Sequence, residues 1–486
     1  MSNLVEIKNI LWPIANRELK KFLPMAFMMM CILFNYSVLR SIKDSLIVVQ
    51  IGAEALGFMK LYIVLPSAII FMIVYAKLCN IMSTKSVFYA ISTFFIAYLL
   101  LFALLLYPYP EMFHPNSDYI AALSTEHIRF QWFIKIIGKW SYASFYVMAE
   151  LWGSVMMSLL FWQFANSTTK TEEAKRFYSM FGMLGNIGLL IAGFVLGIQL
   201  PDAIATTQIK VLITAFSAFV IMVVYYYINE FVLADPAYAP AAPKTKKSKQ
   251  KLSLGESFKL IFSSKYLGLI AVLIFAYGVS INLVEGVWKA KAKELYPTTE
   301  EYQQFMGYFQ TVQGIGAIIC MIIGSNILRK VSWKTAAMFT PLMILFTGLG
   351  FFGFILFDKA AALYLAAFFS GGPLALAVSM GTWQQVIAKG TKYSLFDATK
   401  EMAYIPLDDE LKSKGKAAVD VVGGRLGKSG GAAIQSSFFF LFPLLTFTDA
   451  IPYFAVIFFV IVLLWLYSIS KLSVEYNNRL AEPKSD

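Results

Sequence analysis

Four stretches of this 486-residue chain place ionisable side chains inside long apolar runs. Such a group at bilayer depth is costly and faces a partner or a water-filled cavity, so it marks a functional site. The first stretch carries Asn35, Arg40, Lys43 and Asp44 between two apolar runs. Arg40 and Asp44 stand four apart and can pair on one helical face, which leaves Lys43 without a local partner. The second is YASFYVMAELWGSVMMSLLFW, where Tyr142, Tyr146, Glu150 and Ser154 recur at every fourth position. A stripe of hydroxyls and a carboxylate belongs on an interior face. The third aligns Gly278, Asn282, Glu285 and Lys289, with the last two spaced for an i,i+4 pair. The fourth, GGRLGKSGGAAIQSSFFF, sets Arg425 and Lys428 among glycines. It fails as a P-loop, because Val422 stands where the first glycine is needed.

Together these residues describe a site for a phosphorylated ligand. Lysines and arginines suit phosphate oxygens. Interleaved tyrosines can stack on a base. Carboxylates would pair with the lysines when no ligand is bound. The first three stretches also have a structural reading: a snorkelling Lys43 at the end of a shorter helix, a Glu150 hydrogen bond between two helices, or a local Glu285–Lys289 pair at the membrane edge. Two further basic segments flank spans. TEEAKRFYSMFGMLGN holds Arg176, and KYSLFDATKEMAYIPLDDELKSKGKAA holds Lys400. Arg176, Lys400, Asp44 and Lys289 are candidates for gates or rims, and positive anchors are the alternative for the rim residues.

The elements that carry these residues are membrane helices. The chain is 58% hydrophobic and 14% charged, with a mean hydropathy of +0.65. Soluble domains carry about 25% charge. The apolar runs are continuous, which excludes a transmembrane β-barrel with its period of two. At roughly 20 residues per span, about twelve helices are predicted, in an all-α polytopic fold. The three cysteines sit in apolar runs without metal-ligand spacing, and the two histidines suggest no metal site.

The formal charge of +12 would suggest nucleic acid in a soluble protein, but here the excess follows the loops. Lys and Arg cluster before the first span, after spans four, six, eight and ten (Lys389 is counted in the last of these), and at the C-terminus. The positive-inside rule then puts both termini in the cytoplasm and requires an even number of spans. Lys289, Lys291 and Lys293 break the pattern: they fall on the outer side, where they would attract an incoming anion. Residues 1–21 read as a cytoplasmic N-terminus, 22–229 as six spans, 230–265 as a basic linker, 266–470 as six more spans and 471–486 as a tail. The linker is Pro/Ala-rich, then Lys-rich, and cannot bury a core. A six-plus-six chain with such a linker points to a major-facilitator-like arrangement of two rigid halves around a midplane site.

Several stretches carry a resemblance as well. LRSIKDSLIVV, KLYIVLPSA, AELWGSVMMSLLFWQFAN, EAKRFYSMFG, AYGVSINLVEGVWK, KYSLFDATKEMAYIPLD and GKAAVDVVGGRLGKSGG resemble the bacterial and plastid ATP/ADP translocase family, nearer to the rickettsial type than to plastid forms. The resemblance covers essentially the whole chain. It implies twelve helices and exchange of host ATP for bacterial ADP across the inner membrane, without hydrolysis. ATP and ADP would be cargo, with no cofactor, and phosphate accompanies ADP in some members. It implies charged family positions at Lys43, Glu150, Glu285 and Lys428, with Lys400 a competitor for the last. Within this reading Lys43 and Lys428, helped by Arg40 or Arg425, would hold the phosphates. Asn282 and Tyr146 would touch base or ribose, and Glu150 and Glu285 would balance charge. A monomer in membrane lipid, without nucleic acid, is expected. Two alternatives stand beside it: a proton-coupled or differently specific nucleotide importer, and a membrane-embedded phosphotransferase or glycosyltransferase, for which Asp408 and Asp409 are the nearest candidate carboxylates.

Overall fold

The structure, a computed structural model, describes residues 12–238, 259, 263–356, 372–407 and 415–481; within α-helical segments the side chains of a few residues, Arg425 and Lys428 among them, lie outside that description. Twelve long helices run through the described residues. They are α1 (Leu19–Gln50), α2 (Ala55–Ile81), α3 (Thr84–Leu106), α4 (Trp140–Thr168), α5 (Thr171–Leu196) and α6 (Ala203–Val232), then α7 (Lys265–Leu295), α8 (Thr299–Lys330), α9 (Trp333–Leu356), α10 (Gly372–Thr391), α11 (Lys416–Leu441) and α12 (Phe447–Ala481). All but α10 and α11 hold segments long and apolar enough to cross a bilayer. Helix is the form these runs must take in lipid, because only a helix or a closed barrel satisfies every backbone group internally. No strand occurs among the described residues.

Glycines let particular helices cross closely, and the crossings repeat. In the first six helices α1 packs most extensively on α5; in the second six α7 packs most extensively on α11. A Cβ on Gly188 of α5 would collide with the Met30 carbonyl of α1. A Cβ on Gly278 of α7 would stand 2.5 Å from the Gly427 backbone of α11. Helices six apart in number therefore play equivalent parts. The same correspondence governs how the halves meet, for α5 lies on α8 and α2 lies on α11. Gly193 and Gly197, a small-residue step, do mark close packing: a Cβ on Gly193 would lie 2.9 Å from the Gly307 carbonyl across the half boundary.

The halves are fastened at the end of the bundle that holds Gln50, opposite the end that holds Leu19 and Ala481. Gln50 Nε2 donates to Thr299 (3.0 Å), Gln131 Nε2 to the Pro443 carbonyl (2.6 Å) and the Phe447 amide to Glu54 (3.1 Å). Deeper in, Lys210 Nζ donates to Gln303 Oε1 (2.9 Å), and Gln303 Nε2 reaches Ser45 and Thr207 at 3.1 Å. Among the described residues, the hydrogen bonds and ion pairs between halves lie between this end and mid-bundle.

Two of the boundaries that differ from the sequence reading matter to the site. Helix α7 continues to Leu295, so Lys289 sits inside it and is 1% exposed. Helix α10 continues through Thr391, so Lys389 lies within the helix, not in the following loop. A lysine looks like the end of an apolar run in both places, whereas a buried polar partner allows the helix to carry it further inside.

Candidate functional site: a charge network between the halves

Helix α1 supplies three charged residues within five positions, so they fan around its axis and not along one stripe. Lys43 Nζ lies 2.8 Å from Asp44 Oδ1 and 2.9 Å from Glu150 Oε1 on α4. The other Asp44 oxygen is 2.7 Å from Lys289 on α7. Lys289 in turn lies 2.9 Å from Glu285 Oε1, and Arg40 Nη2 lies 3.0 Å from the same oxygen. Lys60, on the first turns of α2, reaches Glu285 Oε2 at 3.4 Å and donates to Asn282 Oδ1 at 2.9 Å. The chain of pairs thus runs Glu150–Lys43–Asp44–Lys289–Glu285, with Arg40 and Lys60 as branches. Lys43, Asp44 and Lys289 are at most 2% exposed.

The local chain holds these groups in place. Asn282 Nδ2 is tied to the Gly278 carbonyl one turn below (2.8 Å), and its carbonyl accepts from Gln435 of α11 (2.8 Å). Directly after Glu150, α4 widens into a π-helical stretch, Gly153–Phe161. Such widenings recur at functional sites because they re-aim side chains. Gly153 allows that bend to sit against the Tyr36 ring, which a Cβ would meet at 2.5 Å. Tyr146, four residues before Glu150, lies under Lys43, whose Nζ is 3.8 Å from the ring centroid. Its hydroxyl is buried and has no hydrogen-bond partner among the described residues.

Most of the sequence candidates converge here: Arg40, Lys43, Asp44, Tyr146, Glu150, Asn282, Glu285 and Lys289 form one cluster. Three expectations change. Arg40 does not pair with Asp44; the two diverge to Glu285 and Lys289, because α7 offers each a partner across the half boundary. Lys43 does have a local partner, the adjacent Asp44. Lys289 belongs to the buried network, not to an outer rim. The expected Glu285–Lys289 pair is present. Arg425 and Lys428 lie on α11, next to the Gly278–Gly427 crossing, and their side chains fall outside the described residues. Asp408 and Asp409 also lie outside them.

Arg176 and Lys400 stand apart from the cluster. Arg176 forms a two-pronged pair with Glu18 (2.6 and 2.7 Å) and donates to the Pro13 carbonyl (2.7 Å). Lys400 lies 3.2 Å from Glu401, which Lys416 also contacts. Burial pushes the Glu401 carboxyl up, but Lys416 and Lys400 outweigh it and hold the group below the ordinary carboxylate range.

Sequence reasoning missed two cations. Lys60 opens the apolar stretch KLYIVLPSA, near the start of its run, where it resembles an anchoring lysine. Lys389 donates to Gln313 Oε1 (3.1 Å) on α8 and lies 5.4 Å from the Phe309 ring centroid. The cluster then sets five basic side chains, Arg40, Lys43, Lys60, Lys289 and Lys389, against the carboxylates Asp44, Glu150 and Glu285. That excess favours an anionic ligand, and the partly exposed Glu150 shows that the network reaches accessible space.

Known proteins match this chain along its length. A family model described as TLC ATP/ADP transporter covers residues 1–476. ADP,ATP carrier protein 1 of Rickettsia bellii (strain RML369-C) is 59% identical over 97% of this chain and 96% of its own. ADP,ATP carrier protein 3 of the same organism is 47% identical over 97% of each. Among solved structures, a bacterial homologue of the iron transporter ferroportin in its inward-facing state superposes with a TM-score of 0.58 at 12% identity, covering 95% of this chain and all of that one. A point mutant of the nucleoside transporter NupG superposes at 0.55 with 11% identity, covering 93% and 99%. At these identities the two likenesses show a shared fold.

Proposed function

The chain belongs to the TLC ATP/ADP transporter family, and from that premise we propose that it exchanges ATP for ADP across a bacterial inner membrane by alternating access of its two halves. Host ATP enters, ADP leaves, and no phosphate bond is broken. Both termini face the cytoplasm, as the distribution of Lys and Arg among the loops argues. The protein works as a monomer, with residues 230–265 joining the halves.

The observation that carries this reading is that Arg40, Lys43, Lys60 and Lys289 are partnered by carboxylates, and that three of the pairs, Arg40–Glu285, Lys60–Glu285 and Lys289–Asp44, cross between halves. Phosphate oxygens offer Arg and Lys the same partner chemistry as carboxylates do. A nucleotide entering the cluster can therefore take over Arg40, Lys43 and Lys289 without stranding a buried cation. Without one, moving the halves apart would leave charges unpaired, at about 3–5 kcal/mol for each broken buried pair. Reorientation is thereby tied to occupancy, and occupancy-tied reorientation is exchange. Lys428, one residue past the α7–α11 crossing, would contribute from the second half. Asn282, which accepts from Lys60, and Tyr146, which lies under Lys43, would contact base or ribose. Because ATP carries more charge than ADP, the exchange moves charge unless phosphate accompanies ADP.

Counterflow tests the proposal directly. Proteoliposomes loaded with unlabelled ADP should accumulate labelled ATP, and empty vesicles should take up almost none. GTP, NAD and phosphate serve as competitors. Equal uptake into loaded and empty vesicles would replace exchange with net import.

A further inference from the structure

The described lysines and arginine of the cluster are not all alike. Arg40, Lys43, Lys60 and Lys289 each have a carboxylate oxygen within 3.4 Å. Lys389 has an amide oxygen and a ring face instead. Among the described residues no carboxylate comes within ion-pair distance of it, although Glu285 and Asp44 lie in its field, as do the cations Arg40 and Lys289. An ammonium carries three donors, and Gln313 takes one. One turn earlier on the same face of α10, Gln385 is 1% exposed and its amide nitrogen has no partner among the described residues. Buried polar groups are normally satisfied, and each exception calls for an explanation. Here a cation and an amide donor, stacked on one helix face beside the network, both await an acceptor. Lys210 makes a useful contrast. It too is a buried lysine on a glutamine, but its glutamine is committed to Ser45 and Thr207, and the group closes the Gln50 end.

We propose that Lys389, with Gln313 positioning it and Gln385 beside it, is a substrate-binding residue that takes a phosphate of the transported nucleotide. The proposal rests on the nucleotide-exchange reading above and adds a binding group on the second half. Arg40 stands on the first half, so a phosphate held between Arg40 and Lys389 would join the halves through the ligand. In the empty state Arg40 is joined to the second half through Glu285. Occupancy would then replace one cross-half link with another.

The test uses the full chain in detergent and in proteoliposomes, with ATP as the probe. Lys389→Gln should weaken ATP binding by at least about tenfold, the loss of one charge-assisted contact, and Lys389→Arg should stay within about threefold. A merely structural Lys389 would behave differently in thermal melts. For a ligand-binding Lys389, the empty Lys389→Gln protein should melt no lower than the parent, because no carboxylate is stranded, while the stabilisation given by saturating ATP should shrink. ATP binding within about twofold of the parent in Lys389→Gln would overturn the proposal. So would a lower melting point of the empty variant together with equal loss in Lys389→Arg. A parent that binds ATP through Lys389 but shows no counterflow would sink the exchange reading and leave this site standing.

Discussion

The charges at the middle of the bundle and those at the end that holds Leu19 and Ala481 make opposite kinds of partnership. Mid-bundle pairs share carboxylates, and three of them reach across the halves: Asp44 holds Lys43 and Lys289, and Glu285 holds Arg40, Lys60 and Lys289. Among the described residues, the pairs near that end join residues of one half: Lys21 with Glu173, Arg176 with Glu18, Lys265 with Glu475, Lys400 with Glu401. A pair inside one half moves as a unit when the halves rock. A pair between halves must break, so it is where a ligand can set the equilibrium. The difference shows which charges of a highly basic chain concern transport and which concern anchoring.

The sharpest way to break this contrast is Asp44→Asn. The substitution keeps the shape and leaves Lys43 and Lys289 short of a buried anion. It should cost about 3–5 kcal/mol of stability in the empty protein, the usual penalty for stranding one side of a buried pair. Added ATP should recover part of the loss by supplying phosphate oxygens, read as a larger ligand-induced rise in melting temperature than in the parent. Exchange should fall to background. Stability unchanged in the empty variant would mean that the network does not hold the halves.

Arg176→Gln probes the other side. Its pair with Glu18 has good geometry but is partly open to solvent, so about 1 kcal/mol should be lost. Counterflow should stay within about threefold of the parent, since the pair does not span the moving boundary. Loss of exchange in a well-folded Arg176→Gln protein would dissolve the distinction between rim and centre and make Arg176 a gate.

How much of this can be read in the sequence follows from the physics of a charge in lipid. Lys43, Glu150 and Glu285 stand in the middle of apolar runs, where one charge is conspicuous. The twelve-helix fold is legible for the same reason: the runs are long, continuous and separated by basic loops. Lys60 and Lys389 escape notice because they stand near the ends of runs, where an anchoring lysine has the same appearance. Spacing also misleads. Arg40 and Asp44 satisfy the i,i+4 rule, but that rule describes an isolated helix, and α7 offers both a better-placed partner. Partners across the half boundary, such as Asp44 and Lys289, are 245 residues apart and leave no local signal.

The smallest expected effect concerns the outer lysines. With Lys289 buried, any steering of incoming ATP at that end falls to Lys291 and Lys293. Lys291 is already held by Glu294 (2.9 Å) and donates to Thr448 at the start of α12 (3.1 Å). Much of its charge is therefore balanced locally. Replacing both by Gln should slow the initial rate of ATP uptake by less than about twofold at 0.15 M salt, where the Debye length is about 8 Å. At about 0.01 M salt screening is weaker and the slowing should grow, because steering acts on the encounter and not on the bound state. Initial rates across a salt series decide the matter. A loss that is the same at every ionic strength would mean that one of these lysines touches the nucleotide, and the functional charges would then extend from the middle of the bundle to its outer mouth.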